Sequence, residues 1–185
     1  MSIHKNPYDR TTYILVIDDD QTLLKFFKIH LNKFFSKIVV VKNAKEAIEA
    51  LGEKEIDLVI SDIRMPRMDG IQLMKKVRQH DPSIPVFLVS GALLTPEQVT
   101  SIDEKADGFL KKPFSIDDLH AYIANGLRVR DIYKELLDLV KDEKKFQNIV
   151  RGKASLKGIK DEAARDRATA LMAELAGMTH LKQAG

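Results

Sequence analysis

The 185-residue chain contains no cysteine. Disulfides, thiolate metal cages and cysteine-based redox chemistry are therefore excluded. No apolar run approaches the roughly 18 consecutive residues that a membrane-spanning helix needs, which argues against a membrane partner. The first twelve residues, Met1 to Thr12, are polar and lack the apolar centre of a secretory signal, so a cytoplasmic location is expected. A large charge excess of one sign is also missing. Through residue 119 there are 17 Lys+Arg against 18 Asp+Glu, and after it 13 against 9. The basic surplus lies wholly in the C-terminal third and is mild enough to read as solvated surface, with an acidic partner or nucleic acid left open.

Short β-rich runs alternate with helical patterns from Tyr13 to about Ala124. The runs Tyr13–Ile17, Ile38–Val41, Leu58–Ile60, Val86–Val89 and Gly108–Leu110 are apolar throughout, as strands buried on both faces are. Between the first two, Leu23, Leu24, Phe27, Leu31 and Phe34 recur at spacings of three and four. Further helix starts are marked by Asn43 with Glu46, by Thr95-Pro96-Glu97 and by Ser115 with Asp118; Ile71, Met74 and Val77 mark another helix. Five strand–helix repeats predict an α/β fold: a doubly wound, five-stranded parallel sheet with helices on both faces. The flavodoxin-like order 2-1-3-4-5 is the commonest solution for this length.

Ligands in such sheets bind beyond the carboxyl ends of the strands. Polar residues of this chain fall at those ends: Asp18 and Asp19 after the first strand, Asp62 after the third, Ser90 after the fourth and Lys112 after the fifth. Clustered carboxylates repel one another unless a cation is present. Hard oxygen donors suit Mg²⁺, with its coordination completed by water and a phosphate oxygen. A hydroxyl and an ammonium opposite would contact the remaining oxygens of a phosphoryl group, and the implied chemistry is carboxylate attack on phosphorus. Each residue has a plainer reading: Asp18 to Asp20 as helix caps, Asp62 as a loop residue, Ser90 beside Gly91 as turn chemistry, Lys112 as surface charge. Their convergence on one edge favours the site.

The segments Ile14 to Asp20, Asp57 to Gly70, Val89 to Ala92 and Ala106 to Phe114, in this order and spacing, resemble the receiver domains of two-component response regulators over about residues 12–125. The resemblance implies that Asp62 is the phosphoacceptor. It makes Asp18 and Asp19 the acidic pair that holds Mg²⁺ with Asp62, Asp19 directly and Asp18 mainly through water. Arg64 would add its backbone carbonyl to the metal. Ser90 matches the switch hydroxyl, Lys112 the lysine that contacts phosphate, and Phe109 the aromatic switch position. It further implies a sensor histidine kinase or phosphotransfer protein as donor, a downstream protein effector, and no catalytic role beyond the phosphoacceptor site, hence no enzyme. A haloacid-type phosphatase is disfavoured, because Arg64 stands where its second aspartate would be.

Residues 1–11 read as an N-terminal tail and 126–185 as a helical extension. Ile123, Leu127, Val129, Ile132, Leu136, Leu139 and Val140 keep spacings that fit either a prolonged fifth helix or a second helix packed against it. Asp142-Glu143-Lys144-Lys145 interrupts that pattern. Lys153 to Lys160, with Gly152 before it and Gly158 within it, reads as a connector, and 161–176 as a last helix with Ala164, Ala168, Leu171, Met172 and Leu175 on one side. No helix-turn-helix or catalytic signature stands out. The leading expectation is a response regulator whose extension serves homodimerisation or docking. The rivals are a DNA-binding transcriptional regulator with a short basic output, and an intermediate phosphorelay carrier.

Overall fold

A computed structural model describes residues 12–150, 155–156 and 159–179. The expected tail, 1–11, lies outside these residues, as does half of the Lys153–Lys160 connector. Five apolar runs form the strands β1 (Tyr13–Ile17), β2 (Lys37–Val41), β3 (Leu58–Asp62), β4 (Val86–Ser90) and β5 (Gly108–Lys111). They pair in parallel in the order β2-β1-β3-β4-β5, the expected doubly wound arrangement. β3 and β4 are buried along their whole length, whereas the edge strand β2 is half-exposed throughout.

Alternate residues of each strand face opposite layers. Leu15, Ile17, Val59, Val86 and Leu88 pack under α2 (Ala44–Glu53), α3 (Gly70–His80) and α4 (Pro96–Lys105). Ile14, Val16, Leu58, Ile60, Phe87 and Val89 pack under α1 (Gln21–Leu31) and α5 (Ile116–Val140). Most helix starts follow the expected chemistry. Thr95 and Ser115 close capping boxes on α4 and α5, and Asn43 caps α2. Asp69 closes a further box with Gln72 on α3. α1 stops at Leu31 with Asn32 as its cap, short of Phe34, which packs on the same layer from outside the helix.

The fifth helix does run on. α5 is 25 residues long, continues well past Asn125 and ends only where Lys141 adopts a left-handed conformation, φ 54°. Its passage across the sheet depends on Gly126, where an added Cβ would lie 2.3 Å from Phe87 Cε2 and 2.4 Å from Leu58 Cδ1. Beyond that crossing, α6 (Glu143–Val150) and α7 (Glu162–Thr179) fold against the outer half of α5. The charged run at 142–145 thus becomes the start of α6. Val129, Ile132, Leu136, Phe146, Ile159, Ala168, Leu171 and Leu175 make a separate core there, and Arg128–Glu174 and Arg167–Glu135 ion pairs tie α7 to α5 on its surface.

This helical cap is joined to the receiver at the amino-terminal edge of the sheet. Arg130, 7% exposed, reaches Asp81 at 2.9 Å, Ser83, and Asp57 at 3.8 Å. The Tyr133 hydroxyl donates to Asp107 Oδ1 at 2.8 Å, and Lys134 pairs with Asp57 at 3.2 Å. Asp57, Asp81 and Asp107 lie in the segments leading into β3, β4 and β5. Among the described residues no helix is long and apolar enough to cross a membrane.

Candidate functional site

The strand register builds the opposite edge. Ile17 pairs with Ser61, Asp62 with Val89, and Ser90 with Lys111. Just past the strands the backbone continues the ladder, with Ile63 N–H donating to Val89 O and Lys112 N–H to Ser90 O, both at 2.9 Å. Asp18, Asp62, Ser90 and Lys112 are thereby delivered to one rim. Asp62 is the last residue of β3 and Ser90 the last of β4, one step inside the loops where the sequence pattern placed them.

Lys112 Nζ bridges the two buried carboxylates, donating to Asp18 Oδ2 at 2.8 Å and Asp62 Oδ1 at 2.6 Å. The other Asp62 oxygen accepts the Arg64 backbone N–H at 2.6 Å. Burial pushes the Asp62 pKa upward; Lys112 opposes this, Asp18 adds to it, and the net position is above the ordinary aspartate value. Burial also disfavours the Lys112 ammonium, but hydrogen bonds and charge from Asp18 and Asp62 outweigh that and hold its pKa above the ordinary lysine value. The site thus carries two desolvated carboxylates for one ammonium, an excess of negative charge that a cation would relieve.

Asp19 is exposed beside the pair, and Asp20 is the residue that caps α1, accepting from Thr22 and Leu23 N–H. Among the described residues no three carboxylate or imidazole side chains converge as a metal cage. Mg²⁺ keeps several waters and takes one or two protein carboxylates; Asp18 and Asp62, with Asp19 beside them, are the carboxylates that could hold one here. Ser90 Oγ accepts the Ala92 N–H at 3.2 Å, so its hydroxyl is tied to its own loop. Phe109 is half-buried on β5 against the α2–α3–α4 layer, and the Lys112–Pro113 peptide is cis.

Gly70 has a geometric part in the site that no motif reading assigned it. A Cβ there would sit 2.3 Å from the Asp62 carbonyl oxygen, so only glycine lets the start of α3 close on β3. Its N–H donates to Ile63 O at 2.9 Å, which ties the loop after Asp62 to α3. Arg64 extends over the rim, and its Nη2 donates to the Leu93 carbonyl at 2.9 Å. The signal for that contact, a long cationic side chain two residues after Asp62, was visible; its partner was not.

The matched family model is the response regulator receiver domain, covering residues 14–124. The transcriptional regulatory protein GlrR of Escherichia coli (strain K12) is 31% identical over 118 residues, 64% of this chain and 27% of that protein. The C4-dicarboxylate transport transcriptional regulatory protein DctD of Pseudomonas aeruginosa is 33% identical over 129 residues, 70% of this chain and 28% of that protein. The chain therefore spans a little over a quarter of the length of these two relatives. A solved response regulator receiver domain protein from Clostridium thermocellum superposes with a TM-score of 0.61 at 26% identity, covering 65% of this chain and 98% of that one. With the family model spanning well over half of its residues, the chain belongs to the response regulator receiver family.

Proposed function

We propose that Asp62 accepts a phosphoryl group from a phosphohistidine of a sensor kinase or phosphotransfer protein, and that the modified chain signals through a protein partner. The observation that carries this reading is Lys112 Nζ held between Asp18 and Asp62 at 2.8 and 2.6 Å. In the transfer, an Asp62 carboxylate oxygen forms a bond to phosphorus as the phosphorus–nitrogen bond of the donor breaks, leaving an acyl phosphate. Lys112 keeps Asp62 oriented and supplies a fixed positive charge toward the phosphoryl oxygens. Ser90 Oγ only accepts from the Ala92 N–H, so its own O–H remains a donor for a phosphoryl oxygen. Asp19, Asp62 and the Arg64 carbonyl, with Asp18 through water, would hold Mg²⁺, which when bound would supply charge neutralisation for the transfer.

The extension, residues 126–185, is proposed as a docked part of the receiver. Its described residues meet the receiver at the amino-terminal edge of the sheet through Arg130, Tyr133 and Lys134, which leaves the α4–β5 side bearing Phe109 as the face for an effector. Arg128 and Arg167 are engaged by Glu174 and Glu135. α7 exposes Ala163, Ala170, Ala173 and Ala176 together with Glu162 and Asp166, which favours protein contact over base reading. The test is Mg²⁺-dependent transfer of labelled phosphate from a phosphohistidine donor to the wild type and to Asp62→Asn. Labelling of the wild type alone supports the reading; equal labelling of both defeats it.

A further inference from the structure

Arg64 bonds across from the β3–α3 loop to the β4–α4 loop. Its backbone N–H holds Asp62 Oδ2 at 2.6 Å, while its guanidinium Nη2 donates to Leu93 O at 2.9 Å. Leu93 is 93% exposed, an apolar side chain kept in water by the course of that loop. The same loop holds Ser90 Oγ through the Ala92 N–H at 3.2 Å. One guanidinium thus fixes a loop whose shape controls both an exposed leucine and the site's hydroxyl.

We infer that Arg64 is a two-position latch: in the unphosphorylated chain it holds the β4–α4 loop open through Leu93 O, and it releases that loop when a phosphoryl group forms on Asp62. The inference rests on the proposed phosphorylation of Asp62. Phosphorylation replaces the single charge of the carboxylate that the Arg64 backbone touches with about two negative charges on three phosphoryl oxygens. A guanidinium bonds a phosphoryl oxygen more strongly than a neutral carbonyl, and its fork can engage two oxygens at once. The differential interaction that a ligand-driven switch requires is therefore present in one side chain. Leu93 O loses its donor, the loop is freed to carry Leu93 off its exposed position, and Ser90 Oγ is freed from Ala92. Arg64 acts through the loop and is a positioning residue for the switch.

The experiment follows the backbone amide resonances of residues 91–95 in the full chain, with and without Mg²⁺ and beryllofluoride as the phosphoryl mimic. In the wild type these amides shift on addition of the mimic. In Arg64→Ala without the mimic they are displaced along the same wild-type line toward the bound position, because the latch is gone. In Arg64→Lys, which keeps a cationic donor of similar reach without the two-oxygen fork, they stay near the wild-type free position and shift less with the mimic. Arg64→Ala amides that overlay the free wild type, or move off that line, overturn the latch while a normal wild-type response leaves the Asp62 reading intact. A wild-type spectrum that the mimic leaves unchanged overturns the Asp62 reading and the latch with it.

Discussion

The Tyr133 hydroxyl of the extension donates to Asp107 Oδ1 at 2.8 Å, while Arg78 and the Val86 N–H, the latter at 2.7 Å, hold Oδ2 of the same carboxylate. Asp107 immediately precedes β5, the strand that carries Phe109 and leads to Lys112. Tyr133 also packs edge-on against Phe146 of α6 at 5.5 Å. One side chain therefore belongs to both the receiver and the cap.

Tyr133→Phe removes a hydrogen bond to a buried charged acceptor and little else. The expected loss is about 1.5–3 kcal/mol of unfolding free energy, read from urea denaturation. Because the cap shares this hub, the full chain should unfold in one transition by both far-ultraviolet circular dichroism and tyrosine fluorescence. Separate transitions for the two probes would show that the cap is an independent unit.

The Arg130 contacts should make the junction acid-sensitive. Burial pushes Asp81 up, but Ser83 and the Arg130 charge prevail and hold its pKa below the ordinary aspartate value. A depressed carboxylate pKa stabilises the fold above the unfolded-state pKa, and that contribution is lost as pH falls through the folded-state value. Arg130→Met should therefore destabilise the wild type more near neutral pH than in acid. The comparison is of thermal midpoints across a pH series.

Asp62 predicts the opposite slope. Its pKa is raised, chiefly by burial, so the folded state holds this proton more tightly than the unfolded chain does. Its carboxylate costs stability above the raised pKa, and the cost disappears as pH falls below the ordinary aspartate range. Without metal, Asp62→Asn should melt higher than the wild type at neutral pH, with the gap narrowing in acid. Thermal melts in a chelator-containing buffer series check this.

Gly70→Ala places a methyl group against the Asp62 carbonyl. The expected cost is about 1–3 kcal/mol from overpacking, together with slower phosphoryl labelling, since the loop from Asp62 to Gly70 must shift. Gly177→Ala, where a Cβ meets nothing within 4 Å, serves as the comparison and should leave labelling unchanged.

Much of the receiver was legible in the chain because its signals are local. Continuous apolar runs such as Tyr13–Ile17 mark parallel strands, and Thr95 and Ser115 announce helix starts through their own side chains. Asp18, Asp62 and Lys112 could be grouped because strand ends share an edge, whatever the details of packing. Gly70, Arg130 and Tyr133 could not. A glycine's close approach depends on the carbonyl it meets, and the arginine and tyrosine find Asp81 and Asp107 only after α5 has crossed the sheet at Gly126. The three aspartates at the far edge carry no spacing that distinguishes them from ordinary loop residues. The exposed setting of Asp19, beside the buried Asp18, likewise follows from where β1 ends and Asp20 takes over as cap.

The most direct measurement is intact-mass spectrometry of the full chain after incubation with acetyl phosphate and Mg²⁺. A single phosphoryl adduct, removed by hydroxylamine and absent from Asp62→Asn, is the predicted result. An adduct that persists in Asp62→Asn, or a wild type that takes up no phosphoryl group, would contradict the assignment of Asp62 as the phosphoacceptor.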